Sequence, residues 1–184
     1  MIERDEALQL LKKYLKNEKH TQHSLAVEAI MREMARMGHE DEELWGLTGL
    51  LHDIDFGYTE DTPEKHTLIA AQILEGLLPQ EGIEAIQAHN YKHTGRLPIN
   101  ALDRALVAAD AVSGLVIATA LVIPSRKLAD VKPETLLNKF KDKSFAARCE
   151  RKRIELCADT GFELEQFLKL SLIALQKIAD KLDM

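Results

Sequence analysis

Residues 44–53 read LWGLTGLLHD, an apolar run that ends in the pair His52 and Asp53. A run of this kind predicts a buried helix, and the polar pair can turn inward where that helix stops. Neighbouring helical side chains point about 100° apart, so the pair could hold one cation from two sides. Alone, such a pair is more often a surface pair or a capped helix end. The rest of the sequence must decide between these two interpretations.

Apolar residues recur at helical spacing along nearly the whole chain, as at Leu8, Leu11 and Leu15. No segment alternates between apolar and polar residues as a half-buried strand would. The predicted helices span residues 4–18, 20–37, 41–53, 63–77, 80–89, 101–123, 133–140, 144–160 and 163–182. The sequence therefore predicts an all-α protein, a helical bundle around one core.

Residues that begin and end helices support these boundaries. Gly38 and Gly161 lie where C-terminal caps belong. Thr62 and Pro63 read as an N-cap followed by proline at the first helical position, and Asn100 is a further N-cap candidate. The longest stretch outside the predicted helices, residues 90–100, mixes basic, aromatic and polar residues and is predicted to contact a ligand.

Length and composition indicate one globular domain over residues 1–184. The chain is long enough for one buried core, and 46% hydrophobic residues with 29% charged residues is ordinary for a globular protein. A net charge of -6 argues against general binding of nucleic acid through phosphate neutralisation. Any phosphate specificity must therefore come from a local group of residues.

Three features of the sequence bear on the cellular compartment of the protein. Cys149 and Cys157 lie eight residues apart in a predicted helix, so their Cα atoms would be about 12 Å apart, beyond disulfide reach. The N-terminus is acidic, unlike a signal peptide. The apolar stretch 105–123 contains Asp110, so we expect a core helix and no membrane span. Reduced thiols and no export signal predict a cytoplasmic protein.

The last predicted helix has an apolar face between residues 162 and 182. The face contains Leu164, Phe167, Leu168, Leu172 and Leu175. An amphipathic helix at this position either completes the core or pairs two copies of the chain. A homodimer is therefore one predicted assembly.

Two further acidic residues stand out in addition to the His52-Asp53 pair. Asp110 is the one charge in the apolar segment 105–112, where a carboxylate needs a metal ion, an arginine or a hydrogen-bonding cage. A buried ion pair, with Arg104 or another basic residue, is the plainer alternative. Asp55 is predicted to be a surface acid at a helix end, with proton transfer or the holding of a water as the alternatives.

Histidines supply the remaining candidate ligands. His23 lies near the start of a helix with an apolar face, His66 precedes an apolar run, and His89 and His93 lie at and after the end of the predicted helix 80–89. Taken singly, such histidines are more often hydrogen-bonded core residues or solvated surface residues. Imidazole and carboxylate ligands without thiolate suit iron, manganese, cobalt or zinc at a catalytic centre.

The order His23, His52-Asp53, Asp110 resembles the signature of HD-domain metal-dependent phosphohydrolases, and the resemblance covers residues 20 to about 115. His66 and His89 resemble the two-metal variant of this superfamily. That variant includes HD-type diadenosine tetraphosphate hydrolases, HD-GYP cyclic dinucleotide phosphodiesterases and a phosphonate-cleaving diiron oxygenase. The string HTLIAA, residues 66–71, looks closest to the tetraphosphate hydrolases, and no Gly-Tyr-Pro follows residue 93.

The resemblance implies a ligand set for one or two divalent metal ions. The implied ligands of the first ion are His23, His52, Asp53 and Asp110. His66 and His89 would bind a second ion with Asp53 as the bridge, and His93 would have a secondary role. The implied activity is hydrolysis of a phosphoester or phosphoanhydride, in a nucleotide-like small molecule, by metal-activated water.

Basic residues near these ligands are predicted to act on the substrate. The predicted catalytic residues are Asp53, Lys65 and Arg96, and the predicted substrate-binding residues are Lys65, Lys92, His93 and Arg96. Ordinary solvated charges are the alternative interpretation of these cations. Two other functions stay open at this point: a mixed-valence diiron oxygenase with the same ligand order, and a noncatalytic nucleotide-binding regulatory module.

Overall fold

The computed structural model describes residues 1–184 and contains helices but no strands, which confirms the all-α prediction. The α-helices in chain order are α1 (Arg4–Tyr14), α2 (Glu18–Gly38), α3 (Glu42–Leu51), α4 (Phe56–Thr59), α5 (Leu68–Leu74), α6 (Gln80–His89), α7 (Tyr91–Thr94), α8 (Ala101–Val122), α9 (Pro133–Lys141), α10 (Arg151–Ile154) and α11 (Leu164–Gln176). Short 3-10 segments span Leu128–Asp130, Glu155–Thr160 and Ala179–Leu182.

Helix α8 is the central helix of the bundle and packs against α2, α3, α6, α9, α10 and α11. Its sequence is long and apolar enough to cross a membrane, and 61% of its most apolar window is buried inside the structure. A core helix has the same composition, because it is covered by neighbours on most sides. Asp110 lies midway along this helix and is partly buried.

The C-terminal helix completes the core. Phe167, Leu168, Leu172 and Leu175 on α11 are almost fully buried, and Leu164 is partly buried. The apolar face predicted for this segment is therefore covered within the chain itself. This face therefore does not require a second copy of the chain. The homodimer stays a prediction.

Two of the predicted helix ends are confirmed and two are wrong. Asn100 caps α8, accepting a hydrogen bond from the Asp103 amide in a reciprocal capping box, and Gly161 follows the segment Glu155–Thr160 in the left-handed region at φ 87°. The left-handed cap of α2 is His39 and not Gly38. Thr62 and Pro63 start no helix, since α5 begins only at Leu68.

The predicted helix 144–160 is shorter in the structure, where it begins at Arg151. The guanidinium group of Arg151 explains the difference. It donates hydrogen bonds to the backbone carbonyl oxygens of Lys139, Phe140, Asp142, Phe145, Ala146 and Cys149. These carbonyls therefore find partners without a helix, and residues 143–149 form turns. Both cysteines are free thiols, but they do not share one helix.

Helices α2 and α3 approach closely at Gly49. A Cβ atom added there would lie 2.9 Å from the Met31 side chain, 3.1 Å from the carbonyl oxygen of Val27 and 3.2 Å from Glu28 Cα. Two of these contacts are with backbone, so the helices themselves would have to separate. The backbone at Gly49 also holds His52, whose Nδ1 lies 2.8 Å from the Gly49 carbonyl oxygen.

Gly49→Ala is therefore expected to lower the free energy of unfolding by about 1–3 kcal/mol, in spite of the better helix propensity of alanine. Urea unfolding followed by circular dichroism measures this change. The control is Gly57→Ala, because a Cβ atom there meets its nearest neighbour at an ordinary 3.4 Å. Equal stability of the two variants would contradict the close approach.

Candidate metal centre

Helix ends and one core helix bring six side chains into a single cluster. His23 comes from the second turn of α2, and His52 and Asp53 follow α3 directly. The other members are His66 from the turn before α5, His89 from the last residue of α6 and Asp110 from the middle of α8. These six residues are the ones predicted from the sequence as metal ligands, and we call them the six-residue cluster.

Asp53 lies at the centre of the six-residue cluster, with one carboxylate oxygen on each side. Its Oδ1 is 3.2 Å from His66 Nε2 and 3.3 Å from His89 Nε2. Its Oδ2 is 3.3 Å from His52 Nε2 and 3.7 Å from His23 Nε2. The ligand atoms form two groups, each spanning less than 4.8 Å, that share Asp53. The first group also lies beside Asp110, whose Oδ1 is 3.2 Å from His23 Nε2.

Hydrogen bonds on the far side of the rings set the tautomers of two histidines. His52 Nδ1 donates to the Gly49 carbonyl at 2.8 Å, and His89 Nδ1 donates to the Ile86 carbonyl at 2.7 Å. A carbonyl oxygen accepts only, so the proton of each neutral ring is on Nδ1. The Nε2 lone pairs therefore face Asp53. Metal-binding histidines have the same arrangement, in which the other ring nitrogen donates a hydrogen bond that fixes the ring.

The donor set fits a divalent cation. His52 Nε2 is buried and has no hydrogen-bond partner; Asp53 Oδ2 is 3.3 Å from it, and a ligand nitrogen of His23 lies within 4.8 Å. Such a collection of lone pairs in a buried place is unfavourable unless a cation or protons are added. Four imidazoles and two carboxylates without a thiolate match iron, manganese, cobalt or zinc at a catalytic site.

A family model described as the HD domain matches residues 21–115, more than half of the chain. The chain is an HD-domain protein. No curated protein and no solved structure matches it. The HD-domain family consists generally of metal-dependent phosphohydrolases, and the matched region contains all six residues of the cluster. The HD-domain match thus agrees with the resemblance seen in the sequence and with groups of side chains able to hold a metal.

Asp55 is a buried part of this HD-domain site, so its prediction as a surface acid is wrong. Its carboxylate accepts hydrogen bonds from His66 Nδ1 at 2.8 Å, from the Thr67 amide at 2.8 Å and from the Ala70 amide at 3.0 Å. The two amides belong to the first turn of α5. The Asp55 side chain therefore both caps the start of that helix and orients the His66 ring. Its position two residues after the His52-Asp53 pair is the one feature of the sequence that points to a place in this site.

Arg153 also belongs to the HD-domain site, and sequence reasoning missed it. Its Nη2 donates to Asp110 Oδ2 at 2.8 Å and to the carbonyl oxygen of His89 at 3.1 Å. Asp110 therefore has one oxygen toward Arg153 and the other toward His23. The buried ion pair considered for Asp110 does exist, but Arg104 instead lies 3.7 Å from Asp159. No local pattern marks Arg153, because it is 43 residues from its partner.

Arg153→Met is expected to weaken metal binding by about 10- to 100-fold, because Asp110 loses the group that orients its carboxylate. Calorimetric titration of the metal-free protein with Mn²⁺ measures the affinity. Arg104→Met serves as the control, since this arginine lies on α8, the helix of Asp110, but is 3.7 Å from Asp159 at the surface. An unchanged Mn²⁺ affinity in Arg153→Met would show that Asp110 needs no such partner.

The predicted substrate-binding residues lie outside the six-residue cluster. Lys65 and His93 are exposed and make no side-chain hydrogen bond, whereas Lys92 pairs with Glu150 and Arg96 pairs with Glu84 at 2.7 Å. Lys92 and Arg96 would have to leave these ion pairs in order to bind a phosphate. The catalytic roles of Lys65 and Arg96, and the substrate-binding roles of all four residues, stay predictions.

Without a metal ion, protons compensate the charge of the cluster. Burial alone would lower the pKa of His66, but hydrogen bonds to Asp53 and Asp55 outweigh burial and raise it to about 10. Burial would raise the pKa of Asp53, yet the surrounding histidines hold it well below its usual range. The charged forms of both groups are therefore favoured, and an added cation must compete with the His66 proton.

Binding of a divalent metal at pH 7.5 is expected to release about one proton from His66. The sign follows from the pKa of His66, about 10 in the folded metal-free protein against an ordinary 6.5. The stabilising charge is fully present below pH 6.5 and is lost as the pH rises through about 10, so metal affinity should increase with pH over that window. Calorimetry in buffers of different ionisation enthalpy counts the protons. The His66→Gln variant should release about one proton fewer, and an equal count would contradict the assignment.

Proposed function

We propose that this HD-domain protein is a phosphohydrolase with two divalent metal ions that share Asp53. The observation that supports this most directly is the arrangement of Asp53, which has Oδ1 beside His66 and His89 and Oδ2 beside His52 and His23. A carboxylate placed in this way can bridge two cations. His23, His52, Asp53 and Asp110 would hold the first ion, and Asp53, His66 and His89 would hold the second.

The chain orients its ligands firmly on the buried side and leaves the other side open. The His52 side chain is 0% exposed and that of His89 5%, while His23 is 28% exposed and Asp110 20%. A substrate therefore approaches beside His23 and Asp110. When bound, divalent metal supplies Lewis acidity that lowers the pKa of water and offsets charge on a phosphoryl group. The buried hydrogen bonds to Gly49, Asp55 and Ile86 keep the imidazoles from turning away.

The substrate that we propose is a small phosphorylated molecule, with cleavage of a phosphoester or phosphoanhydride. No side chain in the cluster is placed as a nucleophile, because the groups present are imidazoles and carboxylates directed at each other. Water is then the expected nucleophile. A nucleotide-like substrate remains the prediction from the sequence.

Release of phosphate or of a nucleotide product tests the proposal. The metal-free protein is supplied separately with Mn²⁺, Fe²⁺, Co²⁺ and Zn²⁺ and is assayed under anaerobic conditions on mononucleotides, dinucleoside polyphosphates, cyclic dinucleotides and alkyl phosphates. Asp53→Asn is the inactive control. Release that depends on both metal and Asp53 would support the proposal. Oxygen consumption by the iron-loaded protein without anaerobic release would favour oxygenase chemistry, and ligand binding without turnover would favour a regulatory module.

A further inference from the structure

The open side of the cluster continues into one face of α8. The residues Asp110, Gly114, Ile117, Ala118 and Leu121 are spaced by four, three, one and three positions, so they share a face of the helix. All five are at least partly exposed, and the Leu121 residue is 53% exposed. From Asp110 to Leu121 the face extends over about 16 Å. After Asp110 it contains no polar side chain.

Part of this face is the floor of a groove. At Gly114 the face is in contact with Cys149, since a Cβ atom there would lie 3.0 Å from its Sγ. Beyond Gly114 a cavity of about 430 Å³ lies over Ile117 and Leu121. The cavity is lined by Lys19, Gln22, His23, Ile117, Leu121, Leu182, Asp183 and Met184. Because His23 is part of both the cavity wall and the six-residue cluster, the groove lies beside the candidate metal centre.

The lining suits an aliphatic group better than a nucleobase. Its apolar members are Ile117, Leu121, Leu182 and Met184, and it contains no phenylalanine, tyrosine or tryptophan on which a base could stack. The polar pair Gln22 and Asp183 is joined by a hydrogen bond of 2.7 Å from Gln22 Nε2 to Asp183 Oδ2, which uses one donor and one acceptor of the lining. Recognition of a base edge needs free donors and acceptors at fixed places. An aliphatic chain needs only apolar surface.

We propose that this groove, which we call the α8 groove, binds the aliphatic chain of a substrate whose phosphate group lies at the metal centre. The proposal rests on the proposed function for the position of the phosphate. It narrows the substrate class to phosphate esters of aliphatic alcohols, with Ile117 and Leu121 as residues that determine specificity. The apolar face of α8 would then be covered when substrate is bound, which accounts for the exposure of Leu121 in the free protein.

Binding of alkylphosphonates tests the α8 groove without requiring turnover. Methyl-, butyl- and octylphosphonate are titrated by calorimetry into the Mn²⁺-loaded protein under anaerobic conditions, together with a phosphonate analogue of adenosine monophosphate. We expect affinity to increase about two- to fourfold for each added methylene. Equal affinities for the three chain lengths, tighter binding of the adenosine analogue than of octylphosphonate, or no binding at all would overturn the proposal.

Variants of the α8 groove test where the alkyl chain of the ligand binds. Leu121→Glu is expected to weaken octylphosphonate binding at least about tenfold and to leave methylphosphonate binding unchanged. Because the Leu121 residue is 53% exposed, this change should not disturb the core. Met37→Glu is the matched control, a similarly exposed apolar residue (59%) at the other end of α2 from His23. Chain-length dependence that persists in Leu121→Glu would overturn the assignment to this groove.

The two proposals fail in different ways. Length-dependent phosphonate binding without phosphate release from any ester would retain the α8 groove and reject the phosphohydrolase. Phosphate release from nucleotides, with no effect of Leu121→Glu on any alkylphosphonate, would retain the phosphohydrolase and reject the groove.

Discussion

Asp53→Asn is expected to remove both metal ions and to lower phosphate release at least about 1000-fold, as loss of a shared metal ligand should. The substitution preserves the size of the side chain but removes the negative charge. Four imidazoles of the cluster lie within 3.7 Å of this carboxylate, so no other group can replace it on both sides. Metal content by atomic emission spectroscopy and phosphate release on the same samples measure the two losses.

The matched control for Asp53→Asn is Asp61→Asn, an exposed acid in the following turn without an ion pair. This variant should bind metal and release phosphate like the unchanged protein. If Asp53→Asn kept one ion with full affinity, the carboxylate would belong to a single group of ligands. The two-ion proposal would then be wrong.

Asp55→Ala is expected to lower the free energy of unfolding by about 3 kcal/mol or more, because it removes a buried carboxylate that accepts three hydrogen bonds. The donors are the ring nitrogen of His66 and the buried amides of Thr67 and Ala70. Thr67 also has a φ of 73°, which is unfavourable for a β-branched residue and is maintained by its surroundings. Without Asp55, the start of α5 loses the group that maintains it.

The same variant should change metal stoichiometry from two ions to one, since only His66 among the proposed ligands depends on Asp55. Urea unfolding and Mn²⁺ titration measure stability and stoichiometry. Asp55→Asn should lie between Ala and the unchanged protein in stability, because it retains an acceptor for one amide. Two ions bound to Asp55→Ala with unchanged affinity would contradict its role behind His66.

The all-α class and the cluster could be predicted because they depend on local patterns. Apolar spacing of three and four residues is a property of each helix alone, and the α8 segment is apolar enough to be recognised as core without its neighbours. Asp110 was detectable since a charge within such a segment needs a partner wherever the segment lies. The HD-domain match over residues 21–115 and the positions of the six residues agree with this part of the prediction.

The helix boundaries that were wrong depend on distant partners. The helix predicted from residue 63 starts at Leu68. Asp55 accepts hydrogen bonds from the amides of Thr67 and Ala70 and so fixes the first turn. The helix predicted from residue 144 starts at Arg151, whose guanidinium satisfies carbonyls that a helix would otherwise use. A hydrogen bond between residues far apart leaves no periodic signal in either segment.

By itself, the sequence determined the helical class, the metal-competent residue types and their order, because helix periodicity and ligand chemistry are properties of single residues and short segments. Only the tertiary structure decided that Asp53 presents one oxygen to each pair of histidines, that Asp55 is buried behind His66, and that Arg153 reaches Asp110. It also decided where the cluster is open and which face of α8 leads away from it. These features depend on side chains from separate helices meeting at distances of about 3 Å, which packing sets and chain position does not encode.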